Sequence, residues 1–266
     1  MKLSIAGLQT AGSPGNVASN LGELRAAART TKAGGGELLI TPELFLTGYN
    51  LGDKLFDLAK LDLLIKVQEI AREEGLAMIV GLPEYEEDRL YNSVVFLDEG
   101  GAVLGHYRKT HLFGSLDREL FTRGEQLVST VDYRGVRLAM LICYDVEFPE
   151  TVRAAALAGA HAVIVATAQM TPFKFIAEQL IPVRAWENQI YMAYVNHDGE
   201  EGDLAYVGRS SIVDPYARVL DSIVHGTRIL TAVIDTEIVD QARLRNPYLN
   251  DRRPDLYDPS ASAQTV

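Results

Sequence analysis

The stretch 136-VRLAMLICYDVEFPETVRAAALAGAHAVIVAT-167 decides the reading of the fold. Its first apolar run, 136–142, has the length of a buried strand and stops at Cys143. Pro149 then opens a helix through Ala158, because a proline in the first turn gives up no hydrogen bond. A second apolar run, 161–167, is strand-like again. Strand, helix and strand in succession ask for a sheet covered by helices. Cys143 is the only cysteine of the chain. It stands at the polar edge of its run, whereas a sulfur kept for packing would sit more naturally inside it.

The same alternation extends in both directions. Residues 2–8 read as a strand, followed by a helix capped by Asn20, with Glu23 three residues on and Leu21, Leu24, Ala27 and Ala28 sharing one face. Gly34, Gly35 and Gly36 end that helix before a short strand at 37–41. A helix over about 55–74, with Leu61, Leu64 and Ile65 inward, stops at Gly75. A strand at 77–81 precedes two antiparallel strands, 91–98 and 102–109, joined at Glu99-Gly100-Gly101. Residues 110–126 read as a loop and 127–133 as a strand. Beyond the opening stretch, a helix over about 172–187 and a strand at 190–196 follow. Strands near 206–213, 217–222 and 229–234 and a short helix at 236–244 complete the pattern. The hairpin pairs argue against a purely parallel sheet, and two mixed sheets packed together with helices outside satisfy both observations. Residues 1–266 are expected to form one domain, with an extended polar tail from about residue 246.

Composition narrows the function. With 47% hydrophobic and 23% charged residues, the 266-residue chain has the make-up of a soluble globular protein. Lys+Arg 25 against Asp+Glu 36 gives a net charge of −11, which repels phosphate backbones and anionic lipid. No nucleic-acid partner is therefore expected. No apolar run approaches the ~20 residues of a spanning helix, and MKLSIAGLQTAG is too short an apolar stretch for a signal peptide. One cysteine allows no internal disulfide, so a reducing, cytoplasmic setting is expected. The five histidines form no HExxH or other close ligand spacing, and no GxSxG elbow occurs, so neither a metal nor a cofactor is expected.

Reactive groups of α/β folds gather where strands end. Glu43 follows one strand in 42-PELFLTGYN-50, Lys109 ends another in 107-YRKTHLFG-114, and Cys143 ends a third in 141-LICYDVEFPE-150. A thiol needs a base beside it, which a carboxylate raised by burial can be. An ammonium can hold the oxyanion formed when sulfur attacks a carbonyl. Each residue also has a plainer reading: a small buried hydrophobe, a turn residue and a solvated charge.

The three blocks, in this order, resemble the signature blocks of the nitrilase superfamily of carbon–nitrogen hydrolases, and the similarity runs from the first strand to about residue 235. The resemblance implies a four-layer αββα sandwich, pairing into a homodimer or higher homo-oligomer through helices near the nucleophile. It also implies Glu43 as general base, Lys109 as stabiliser of the tetrahedral intermediate, Cys143 as thioester-forming nucleophile, and the Tyr144 backbone N–H as second oxyanion donor. A fourth acid falls in 117-DRELFTRG-124, which matches the family pattern E-K-x-x-F-x-P-G with Asp117 for glutamate and Arg123 for proline. Glu119 is the nearby substitute.

Cys143-Tyr144-Asp145 resembles amidase branches, and with 171-TPF-173 and 187-ENQIYMAYVN-196 it points to bacterial small-amide amidases, among them the 5-aminopentanamide and stereoselective types. Omega-amidase relatives often carry arginine where this chain has Glu147. A carboxylate bordering the pocket there would favour a neutral or cationic substrate end; as a charge at a helix start, Glu147 would have no such effect. The expected substrate is a small aliphatic or amino-substituted primary amide. An N-carbamoyl amine hydrolase, an omega-amidase and a catalytically silent binding protein on the same scaffold are the alternatives.

Overall fold

The computed structural model describes residues 1–257, so the part of the expected tail from 258 onward lies outside the described residues. The first half of the chain runs β1 (Lys2–Gln9), α1 (Val17–Ala33), β2 (Leu38–Ile40), α2 (Lys54–Ala59), α3 (Leu63–Glu74), β3 (Ala77–Glu86), β4 (Arg89–Leu97) and β5 (Val103–Arg108). The second half runs α4 (Gly114–Leu120), β6 (Ser129–Tyr133), β7 (Val136–Ile142), α5 (Pro149–Leu157), β8 (Ala162–Thr167), α6 (Ile181–Asn188) and β9 (Tyr191–Asn196). It closes with a short hairpin, β10 (Glu200–Glu201) and β11 (Leu204–Ala205), then β12 (Ser211–Val213), β13 (Val219–Ser222), β14 (Arg228–Asp235), α7 (Thr236–Arg245) and the one-turn α8 (Pro254–Tyr257).

These strands build two six-stranded mixed sheets, β14-β1-β2-β3-β4-β5 and β13-β12-β9-β8-β7-β6. Parallel pairing joins β1, β2 and β3 in one sheet and β7, β8 and β9 in the other. The period-two rule of strands sorts the side chains into layers. In the first sheet Leu38, Ile40, Ile79 and Phe96 join the core shared with the second sheet, while Leu39, Met78, Val80 and Leu97 pack with Leu24, Ala28, Val67 and Ile70 of α1 and α3. On the far side, Val152, Ala155 and Ala185 of α5 and α6 belong to the same core as β7 and β8. The result is the expected αββα sandwich. Strands buried on both faces read as continuous apolar runs, which is why they were conspicuous. The two sheets meet closely at Gly105, where an added Cβ would stand 2.4 Å from Val131 Cγ2.

Local expectations fared unevenly. The cap of α1 is Asn16, whose Oδ1 accepts from Ser19 N at 3.0 Å. Asn20 lies buried within the helix, where its amide holds the carbonyls of Ser13 and Leu46. The helix expected over 55–74 is two, broken where Asp62 takes a φ of +51°. That break turns Leu61, Leu64 and Ile65 outward and buries Leu63, Val67 and Ile70 instead. The stretch 110–126 contains α4.

One glycine links the fold to the strand ends. A Cβ on Gly81 in β3 would lie 2.2 Å from the Pro42 carbonyl oxygen and 3.0 Å from Glu43 Cα. The backbone carrying Glu43 thus crosses β3 at a distance only glycine permits. Gly81→Ala is expected to lower stability by about 1–3 kcal/mol through overpacking, seen as a lower urea midpoint at unchanged m-value.

Candidate active site

The carboxyl ends of β2, β5, β7, β8 and β9 open on the same region between the sheets, where α/β folds put ligands. Glu43 leaves β2 through Pro42, Lys109 follows β5, and Cys143 follows β7. All three side chains are buried, Glu43 and Lys109 at 0% and 1% exposure. The plainer readings of the glutamate as a surface turn residue and of the lysine as a solvated charge are therefore ruled out.

Lys109 Nζ donates to Glu43 Oε1 and to Asp117 Oδ2, both at 2.7 Å. Asp117 is fully buried in α4 and also accepts from Phe113 N at 2.8 Å and from the Tyr49 hydroxyl. Glu119 is exposed, so the acid that reaches the ammonium is Asp117. Its shorter side chain suffices because the helical turn begins at Gly114 and brings the carboxylate to Lys109. Asn92 Nδ2 in β4 donates to Glu43 Oε1 at 2.6 Å, and His197 Nε2 donates to the Glu43 carbonyl at 2.7 Å.

Burial pushes the Glu43 carboxyl above the ordinary range; Lys109 pulls against this and Asp117 adds to it. Burial alone would lower the Lys109 ammonium, but Glu43, Tyr49 and Asp117 outweigh it and hold its pKa well up. The Cys143 thiol is raised by burial and by the Glu43 charge, with Lys109 opposing. The thiol is thus held protonated near the buried cluster of Glu43, Lys109 and Asp117.

Cys143 has a φ of +43°, a left-handed conformation uncommon outside glycine and frequent at functional turns. Asp145 fastens that turn. It accepts from Ile142 N at 3.2 Å, from His111 N at 2.9 Å, from Thr110 Oγ1 at 2.8 Å and from the Tyr107 hydroxyl at 2.9 Å. One carboxylate thus ties the turn after β7 to the residues on both sides of Lys109. Glu201 does the same for the Glu43 loop, accepting from Tyr49 N at 2.9 Å and Asn50 N at 3.0 Å.

In front of the sulfur lies a narrow pocket lined by Tyr49, Phe113, Cys143, Tyr144, Glu147 and Phe173 among others. Phe113 stands edge-on to Tyr144 at 5.2 Å and to Phe173 at 5.8 Å between ring centroids. Gln169 Oε1 accepts from Cys143 Sγ at 3.8 Å. Glu147 borders this pocket, and burial raises its carboxyl. Tyr49, Asn92, Asp145 and Gln169 were not singled out for the site from sequence. Tyr49 lay within a quoted block, and Asp145 had served only to mark the amidase branch. No signal pointed to Asn92 or Gln169.

Comparison with known proteins bears on the family and the fold. Residues 2–244 match the carbon-nitrogen hydrolase family model. The chain is 40% identical over 255 residues to a "Hydrolase in pqqF 5'region" of Pseudomonas protegens, covering 92% of this chain and 87% of that one. It is 37% identical over 262 residues to an (R)-stereoselective amidase of Pseudomonas sp, covering 95% and 92%. A cysteine-to-alanine mutant of an amidase from Nesterenkonia sp. AN1, solved in complex with butyramide, superposes with a TM-score of 0.87 at 34% identity, covering 96% of this chain and 95% of that one.

The ion cluster yields a prediction that separates the two acids of α4. Asp117→Asn is expected to cost about 2 kcal/mol by weakening a buried charge-assisted bond. Glu119→Gln should stay within about 0.5 kcal/mol of the parent. Urea unfolding of both variants checks this.

Proposed function

The chain belongs to the carbon–nitrogen hydrolase family, and from that premise we propose that it hydrolyses small aliphatic or amino-substituted primary amides to the carboxylic acid and ammonia. The observation that carries this reading is the buried Lys109 ammonium, shared by Glu43 and Asp117, behind a Cys143 that lines a pocket with Tyr49, Phe113, Tyr144 and Phe173. Such a site suits a compact neutral acyl group. The Nesterenkonia amidase holding butyramide supports the same size class.

The reaction follows from the charges. Glu43 takes the Cys143 proton, and sulfur attacks the amide carbon. Once Glu43 is protonated its hold on Lys109 weakens, which frees the ammonium to meet the new oxyanion together with the Tyr144 backbone N–H. Glu43 then returns the proton to the leaving nitrogen, ammonia departs, and a thioester remains. Water, deprotonated by the same carboxylate, adds to the thioester and releases the acid and the thiol. Asp117 keeps its bond to Lys109 throughout, so the ammonium is never left without a counter-charge.

Glu147 on the pocket wall sets the preference for the far end of the substrate. A carboxylate there attracts an ammonium and repels another carboxylate. The reduced thiol this chemistry needs fits a cytoplasmic setting. We read the chain as one domain with a tail from about residue 246. The exposed Leu157, Val183 and Trp186 on α5 and α6 support pairing through those helices.

Ammonia release from a panel of amides, with Cys143→Ala as the blank, tests the function. 5-Aminopentanamide should exceed glutaramate in kcat/KM by at least about tenfold, and the reverse order would favour an omega-amidase. Carbon dioxide released from N-carbamoyl amines would favour that hydrolase class instead. An iodoacetamide-inert Cys143 without turnover would point to a silent scaffold. Because burial raises the Glu147 carboxyl, the KM for 5-aminopentanamide should rise as pH falls and the carboxylate is neutralised, while the KM for butyramide stays flat.

A further inference from the structure

The two oxygens of Glu43 are not equivalent. Oε1 accepts from both Asn92 Nδ2, at 2.6 Å, and Lys109 Nζ, at 2.7 Å. Oε2 is buried and, among the described residues, has no hydrogen-bond partner. A buried carboxylate oxygen left bare costs free energy, so keeping it needs a reason. The terminal torsion of a glutamate is soft, with two wells that exchange its oxygens. Two donors converging on one oxygen remove that freedom and leave the other open.

Lys109 cannot hold this arrangement alone. It is shared with Asp117 and, in the reaction above, turns towards the oxyanion as Glu43 becomes neutral. Asn92 has no such second duty. Its main chain is engaged as well, since the Asn92 carbonyl accepts from Lys109 N at 2.9 Å. A single residue of β4 therefore holds the glutamate by its side chain and the lysine by its backbone.

We propose that Asn92 is a positioning residue of the hydrolysis, pinning Glu43 Oε1 so that Oε2 is the oxygen that receives the Cys143 proton. This rests on Glu43 acting as the base. The proton leaves Sγ for Oε2 as the carboxylate charge passes to sulfur, and the Oε2 proton later goes to the departing nitrogen. The Asn92 bond on Oε1 survives the transfer, because Asn92 donates and never has to accept.

The consequence is a pH signature. The ionisable groups facing Glu43 are Lys109 after β5, Asp117 in α4, Cys143 after β7, Tyr49 in its own loop, Tyr194 in β9, His197 after β9 and Tyr206 after β11. Burial raises the Glu43 carboxyl, while Lys109 and the Asn92 donor act to lower it. Removing the donor leaves burial less opposed, so the carboxylate protonates at higher pH and the base is lost sooner on acidification.

The test uses Asn92→Leu, of similar size but without a donor, with butyramide as a neutral substrate that does not report on Glu147. The acid limb of kcat/KM should move to higher pH, and kcat at neutral pH should fall about tenfold or more, the factor attached to a hydrogen bond on a charged group. KM should change little. An acid limb coincident with that of the parent would overturn the proposal. Should Asn92→Leu not fold, Asn92→Ala, which also lacks a donor, is read by the same criterion. The pH dependence of Cys143 alkylation by iodoacetamide needs no turnover: its acid limb should shift in the same direction, and an unshifted one would count against Asn92 even if butyramide proved not to be a substrate. A parent enzyme that releases no ammonia from any amide would instead defeat the functional reading.

Discussion

A lysine ammonium with 1% of its surface exposed cannot stay charged without partners, and the rest of this structure is arranged to supply them. Glu43 and Asp117 come from opposite sides, one from the loop after β2 and one from a helix that sequence patterning had passed over. Two acids thus share one ammonium. Burial is not the only force raising the Cys143 thiol, since a Glu43 charge resists a second anion at the sulfur while Lys109 opposes this. Removing a single partner from such a cluster exposes the remaining charges to the full desolvation penalty, which makes the cluster rigid as well as reactive.

The sheets serve this cluster through their edges and ends. Parallel strands β2, β7, β8 and β9 deliver Glu43, Cys143, Gln169 and His197 to one end of the sandwich, and β5 delivers Lys109 to the same end. Strand ends alone would leave those residues on independent loops. Buried acids remove that independence: Asp145 fastens the Cys143 turn to the flanks of Lys109, and Glu201 fastens the chain after Glu43. Neither needs to touch a substrate. Their part is to turn separate strand ends into one body, the condition for holding reacting groups to fractions of an ångström.

What the sequence disclosed and what it hid divide along physical lines. Apolar runs such as 136–142 and 161–167 were legible because a strand covered on both faces must be apolar at every position. Glu43, Lys109 and Cys143 were visible as polar residues where such runs stop. The inward face assigned to Leu61, Leu64 and Ile65 was mistaken because one left-handed residue, Asp62, restarts the helix in a new register. Asn20 resembled a cap, yet Asn16 performs that role, since both precede a helical pattern and only the loop geometry distinguishes them. Asn92 stood inside what read as an ordinary strand, 91-YNSVVFLD-98. Its partner lies 49 positions away in the chain, and no local pattern encodes a contact of that range.

Taken singly, the resting groups oppose catalysis, with a thiol raised and a base already bonded on one oxygen. The opposition dissolves once charge is followed rather than pKa. Moving the proton from Sγ to Glu43 creates no new charge; it shifts one negative charge from a carboxylate to a sulfur within the field of the same ammonium. A low-dielectric site penalises net charge far more than its relocation between neighbours. A thiol that ionised freely would be open to oxidation and to any passing electrophile. In the proposed mechanism the thiolate is reached only through Glu43, which would tie nucleophilicity to the geometry that also places Lys109 for the oxyanion. Burial, which looks like an obstacle for each group taken singly, couples the three into one step.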